Sequence, residues 1–305
     1  MELLEAIVLS VLAASTPLLL AAAGELVTER SGVLNLGVEG MMIVGAACGF
    51  GGALYTGSTT IGALCGIIAG TLLSLIFAVM TLGLAVNQVA TGLALTILGI
   101  GLSGLIGAGF VGERITPAPH LRIPGLTDLP YLGRILFGED AFVYLSLVLI
   151  VGIWWFLYRT RPGLVLRACG DNHLSAHALG YPVLRIRLLA VMFGGACAGL
   201  AGAYLPLAYT PFFIPGMTAG RGWIALALVV FSSWRPGRLV VGAYLFGAVT
   251  ILQLHAQGAG IGVPSQFMSA LPYLATVIVL VLISRARSGG STAPAALGTV
   301  FVPDR

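Results

Sequence analysis

Long apolar runs alternate with short polar breaks along almost the whole chain. A run of about twenty such residues is what a helix needs to cross the hydrocarbon core of a bilayer. The pattern predicts spans at residues 4–24, 41–55, 61–82, 86–111, 141–158, 188–207, 223–234, 239–255 and 267–284. The span at 223–234 is short, and two interruptions, 25–40 and 208–222, are rich in glycine, proline or charge. Each interruption has room for a half-helix or a re-entrant piece, so the expected total is eight to ten spans. The fold class that follows is all-α, a polytopic transmembrane helical bundle. Residues 1–287 form the membrane domain, and the Ser/Gly/Ala/Pro-rich stretch 288–305 reads as a disordered tail on the cytoplasmic side.

One polar stretch stands apart. Residues 159–187 read RTRPGLVLRACGDNHLSAHALGYPVLRIR and hold five of the fifteen arginines. Basic residues collect on the cytoplasmic side of membrane proteins. With the island inside, the inner segments carry Arg30, Arg159, Arg161, Arg167, Arg185, Arg187, Arg235, Arg238, Arg285, Arg287 and Arg305. The outer ones carry Arg114, Arg122, Arg134 and Arg221. Eleven against four supports that threading, with the N-terminus outside. Trp154, Trp155, Tyr158 and Trp234 fall where an inner interfacial aromatic belt would lie. Inside the island, Arg167–Asn172 reads as a short turn with Asp171 or Asn172 as N-cap. Residues 174–179 read as a two-turn helix closed by Gly180, with Pro182 beyond.

Composition agrees and narrows the chemistry. Hydrophobic residues make up 58%, charged residues 9%, and mean hydropathy is +1.03; a soluble domain carries about 25% charge. The chain contains no lysine, so it lacks both the phosphate-holding amine of a P-loop ATPase and a Schiff-base nucleophile. The sparse net charge of +4 does not suit nucleic acid. The four cysteines have no CxxC spacing and read as small buried residues. His173 and His177 are spaced like metal ligands, but no third ligand completes a site. Neither a metal nor any cofactor is expected. Glycine pairs four apart, Gly45/Gly49, Gly62/Gly66/Gly70 and Gly195/Gly199, mark faces where helices approach closely, within the chain rather than between copies.

Candidate chemistry lies in two places. The stretch GELVTERSGVLNLGVEGMMIVG (24–45) sets Glu25, Glu29, Arg30, Asn35 and Glu39 in or beside apolar sequence, with Gly32, Gly37 and Gly40 interrupting the helix. Broken helices with polar groups line cavities in membrane proteins. Asn35 and Glu39 are therefore expected to face a cavity or gate, an interfacial loop with solvated charges being the alternative; Glu25 and Glu29 are expected at the cytoplasmic interface. Asn87 and Gln88, in LAVNQVATGLAL (84–95), would either bond a polar solute or cap neighbouring helices.

Three motifs carry a resemblance: ERSGVLNLGVEGMMIVGA (29–46), RACGDNHLSAHALGYPV (167–183) and AGRGWIALALVVFSSWRPG (219–237). Together they resemble ABC-transporter permeases for nucleosides and simple sugars, in the superfamily that also holds branched-chain amino-acid permeases. The resemblance implies a multi-pass importer subunit of a bacterial inner membrane that performs no catalysis itself. It further implies a cytoplasmic ABC ATPase subunit, a second permease subunit, paralogous or identical, and an extracytoplasmic solute-binding lipoprotein, all in the setting of a lipid bilayer. A coupling helix for the ATPase is implied within Arg167, Gly170, Asp171, Asn172, Ala176 and Gly180, with Asp171 where the family often has glutamate. The expected solute pathway is Asn35, Glu39, Asn87 and Gln88. A branched-chain amino-acid permease is the nearest rival. An ion-coupled secondary transporter would need charges deep in the spans, and an integral-membrane enzyme would need clustered catalytic groups.

Overall fold

The computed structural model describes residues 2–121, 137–258 and 293–302, with isolated helical positions between 267 and 281. The expected ninth span, the loop before it, residues 122–136 and part of the tail lie outside the described residues. Ten α-helices are described: α1 (Glu2–Arg30), α2 (Val38–Thr56), α3 (Thr59–Ala78), α4 (Gln88–Gly107), α5 (Ala141–Arg159), α6 (Arg161–Asp171), α7 (His173–Ala178), α8 (Val183–Tyr204), α9 (Arg221–Phe231) and α10 (Pro236–Gly258). Seven helical stretches are long and apolar enough to cross a membrane, and α9 is a shorter apolar helix. The chain is a polytopic helical bundle.

Boundaries moved where local chemistry overrides hydropathy. Helix α1 does not stop at residue 24 but runs on through Glu25 and Glu29 to Arg30. Both carboxylates are buried rather than interfacial, because loop and tryptophan donors meet them inside. The stretch around Arg167–Asn172, expected as a turn, is the end of an eleven-residue helix, α6. Thr160 caps it by accepting from the Gly163 N–H at 3.1 Å, Pro162 occupies its first turn, and Gly163, Leu166 and Gly170 recur on one buried face. The tail also departs from expectation. Residues 293–302 form turns with Ala296 and Phe301 buried, because two of its backbone N–H groups and its one aromatic ring find partners on the bundle.

Helix α8 packs on α1, α2 and α3, and backbone meets backbone at the crossings. A Cβ on Gly202 would strike the Met42 carbonyl, one on Gly199 the Gly66 carbonyl, and one on Gly70 the Gly195 carbonyl. A Cβ on Gly49 would come within 2.7 Å of the Ala203 Cβ. The glycine pairs are thus spent on packing within the chain, as van der Waals contact between helices in lipid requires. Helix α1 contains Pro17, which cannot donate to the carbonyl four residues before it. The Tyr204 hydroxyl of α8 donates to that carbonyl, Ala13 O, at 3.2 Å.

The two ends of the bundle sort the loops. At one end Arg30 bonds to Trp234, and the 293–302 segment bonds to Gly170 and Gly32. At the other, Ile115 pairs with Pro211 and His120 with Asp140. Arg30 and Arg187 lie at the first end and Arg114 at the second, on the sides the arginine count assigns them.

Candidate solute path and docking segment

The two polar interruptions meet. After Arg30 the chain turns back: the Asn35 N–H donates to Glu25 Oε1 at 3.2 Å, and Gly37 N–H to Asn35 Oδ1 at 3.0 Å. From the opposite end, residues 210–220 lead into α9, and the turn just after α9 is tied to the end of α1. The Arg30 guanidinium donates to Trp234 O at 2.9 and 3.1 Å, and the Trp234 indole N–H donates to Glu29 Oε2 at 2.5 Å. Ser233 and Trp234 both have positive φ, 57° and 56°. Bulky residues adopt this only at a cost of about 1–3 kcal/mol, which these bonds offset. Eleven residues of helix rise about 16 Å, roughly half of a ~30 Å hydrocarbon core. The N-terminus of α9 therefore lies about halfway across.

Glu39 meets it there. Oε1 accepts from the Thr218 hydroxyl at 2.6 Å and the Gly220 N–H at 3.0 Å, and Oε2 accepts from the Gly222 N–H at 2.6 Å. The carboxylate satisfies the orphan donors of a buried helix start and opposes its partial positive charge. Glycine is required at both ends of this contact. Gly220 has φ +80°, and a Cβ on Gly222 would sit 2.5 Å from the Glu39 Cα.

The expected path residues fall on this same junction with different roles. Asn35 is fully buried and holds the loop. Gln88 is buried at the start of α4; its Oε1 accepts from the Leu34 N–H at 2.8 Å, while its Nε2 has no partner. Asn87 is exposed and caps α4, its Oδ1 accepting from the Ala90 N–H at 3.0 Å. Glu25 Oε2 is also buried without a partner. Sequence reasoning missed Thr218, Gly220 and Gly222. The usable signal was an acid in apolar sequence, which must find donors, and a distant AGRG run able to supply them.

In the island, Asn172 caps α7 through Oδ1, accepting from the Ser175 N–H at 3.0 Å, and Gly180 closes it with φ +86°. Asp171 is exposed, and the Arg167 guanidinium lies over the Tyr158 ring at 5.1 Å. Ala176 is buried, whereas Leu174 and Leu179 are 65% and 78% exposed. Burial and the nearby Arg187 cation hold His173 below its usual range. Among the described residues no three His, Cys, Asp or Glu side chains are grouped to hold a metal.

Against known proteins, the family described as branched-chain amino acid transport system / permease component matches residues 7–284. The chain belongs to that family. A Haloferax volcanii protein, provisionally named as a glucose ABC transporter permease, is 46% identical over 88% of each chain. A guanosine ABC transporter permease of Bacillus subtilis and a nucleoside ABC transporter permease of Lactococcus lactis are each 32% identical, over 99% of this chain and 98% of theirs. The protein is therefore an ABC-transporter permease subunit and a multi-pass protein of the cytoplasmic membrane, and its relatives are named as transporters rather than enzymes. Permeases of this kind work with an ATPase and a solute-binding protein.

Proposed function

We propose that this permease forms one half of the translocation path of an ATP-driven importer for a nucleoside or simple sugar. The observation that carries the reading is full-length similarity to permeases named for guanosine, nucleosides and glucose. A second permease subunit completes the path, a separate ATPase grips α6–α7 through Arg167, Gly170, Asp171, Asn172, Ala176 and Gly180, and an extracytoplasmic lipoprotein delivers the solute. The lack of lysine supports a borrowed energy source. Asn35, Glu39, Asn87 and Gln88 border the path. In this state Glu39 and Asn35 hold the two broken segments together; the exposed Asn87 is open to a hydroxylated solute, and the buried, unpartnered Gln88 amide meets one only when the junction opens. ATP-driven closure of the ATPase moves α7, and the motion reaches the junction through α1 and α8 to give alternating access.

The test is reconstitution in proteoliposomes with a partner ATPase, a second permease and a solute-binding lipoprotein, scoring labelled guanosine, glucose and leucine uptake. Guanosine or glucose uptake that needs ATP supports the reading. Leucine uptake alone supports the amino-acid rival, and uptake by this chain alone under an ion gradient refutes the ATP-driven assignment.

A further inference from the structure

Helix α7 has six residues, too few to be stable without tertiary support. Among the bundle's own residues, α7 is supported chiefly through one buried alanine, Ala176. The remaining support comes from the far end of the chain. Phe301, 5% exposed, sets its ring edge-on against His173 at 5.1 Å and His177 at 5.3 Å, and shares a small apolar cluster with Cys169, Ala176 and Val183. The two histidines spaced like metal ligands are spaced instead to cradle one ring, since positions four apart share a helix face.

The same segment is sewn to three other parts. The Ala296 N–H donates to the Gly170 carbonyl of α6 at 2.9 Å, and the Gly298 N–H donates to the Gly32 carbonyl, in the turn after α1, at 3.1 Å. Arg187, in the first turns of α8 and fully buried, donates to Ser31 O at 3.1 Å and to Thr299 O at 3.2 Å, and its third nitrogen lies 3.3 Å from His173 Nδ1. One guanidinium therefore joins the turn after α1, the C-terminal segment and α7. A buried cation is retained only where such acceptors surround it.

We propose that residues 293–302 are a positioning strap that fixes α7 on the bundle and mechanically joins it to the Gly32–Glu39 loop. This rests on the reading of α7 as the ATPase docking element. A push on α7 is then delivered through Phe301, Gly298 and Arg187 to the loop that Glu25, Glu39 and Gln88 hold. Leu174 and Leu179, which the strap leaves exposed, are the face offered to the ATPase. Without the strap, α7 can still be gripped, but its displacement is absorbed locally.

Two variants test the strap, Phe301→Ala and a chain ending at Thr292, with Phe301→Leu as the conservative control. In lipid nanodiscs, hydrogen exchange of amides 176–180 should rise at least tenfold in both variants and remain near wild type in Phe301→Leu, with α2 and α3 unchanged. In the reconstituted complex, ATP hydrolysed per solute moved should rise at least fivefold while the ATPase still co-purifies. Unchanged exchange at 176–180, or unchanged coupling in both variants, overturns the strap. Leu174→Glu separates this from the docking reading. If that variant retains the ATPase, the docking reading fails; if it loses the ATPase while Phe301→Ala couples normally, only the strap fails.

Discussion

Removing the Glu39 carboxylate tests the junction of the two broken segments. Replacement by alanine strands the Gly220 and Gly222 N–H groups and the Thr218 hydroxyl, all bonded at 2.6–3.0 Å. A buried donor left without an acceptor costs about 1–3 kcal/mol. The three together come to about 3–9 kcal/mol, a large share of a typical folding stability of about 5–15 kcal/mol. Glutamine keeps the shape but offers one acceptor oxygen and an NH2 group. It loses the Gly222 bond, where donor would face donor, together with the charge assistance, for about 1.5–3 kcal/mol. Thr218→Val removes one neutral donor and costs about 1 kcal/mol. Equilibrium unfolding of the purified permease in mixed SDS and mild detergent reads these differences. The order expected is wild type, Thr218→Val, Glu39→Gln, Glu39→Ala, and Glu39→Gln with Thr218→Val should show non-additive coupling. Glu39→Ala within about 0.5 kcal/mol of wild type, the range of an ordinary surface change, would refute the clamp.

Other consequences are as direct. Tyr204→Phe leaves the Ala13 carbonyl opposite Pro17 without its 3.2 Å donor and should cost about 1–3 kcal/mol in the same titration; a neutral result means that carbonyl is otherwise satisfied. Gly202→Ala drives a Cβ into the Met42 carbonyl, whereas a Cβ at Gly101 meets nothing within 4 Å. The first should destabilise by about 1–3 kcal/mol or more and the second should stabilise by up to about 1 kcal/mol; equal effects would contradict the packing. Glu139, outside the spans, has its carboxyl pushed up to about 7 by burial and then by the Asp140 charge. A raised acid contributes stability fully below its ordinary value of 4.5, lost as pH rises through about 7. Thermal stability of wild type should therefore fall relative to Glu139→Gln between pH 5 and about 8, and parallel pH profiles would exclude that burial.

Hydropathy made most of the bundle legible, because a residue in lipid must be apolar whatever it touches. The cap and stop of α7 were also legible, since Asn172 and Gly180 act on neighbours a few residues away. What could not be read were pairings across the chain. Glu39 is matched to Thr218 and Gly222 about 180 residues later, and no local pattern encodes that distance. The tail misled for a related reason. Its composition cannot build a core alone, yet Phe301 and two backbone N–H groups suffice once Gly32 and Gly170 offer carbonyls.

The most direct test concerns which side of the membrane carries α7. In a chain lacking Cys48, Cys65, Cys169 and Cys197, single cysteines are placed at Leu179 and at Thr60, both exposed and at opposite ends of the bundle. With a membrane-impermeant maleimide, Thr60→Cys should label in intact cells and Leu179→Cys only after permeabilisation. Labelling of Leu179→Cys in intact cells would put the docking face outside, out of reach of any ATP-driven partner, and would contradict the account.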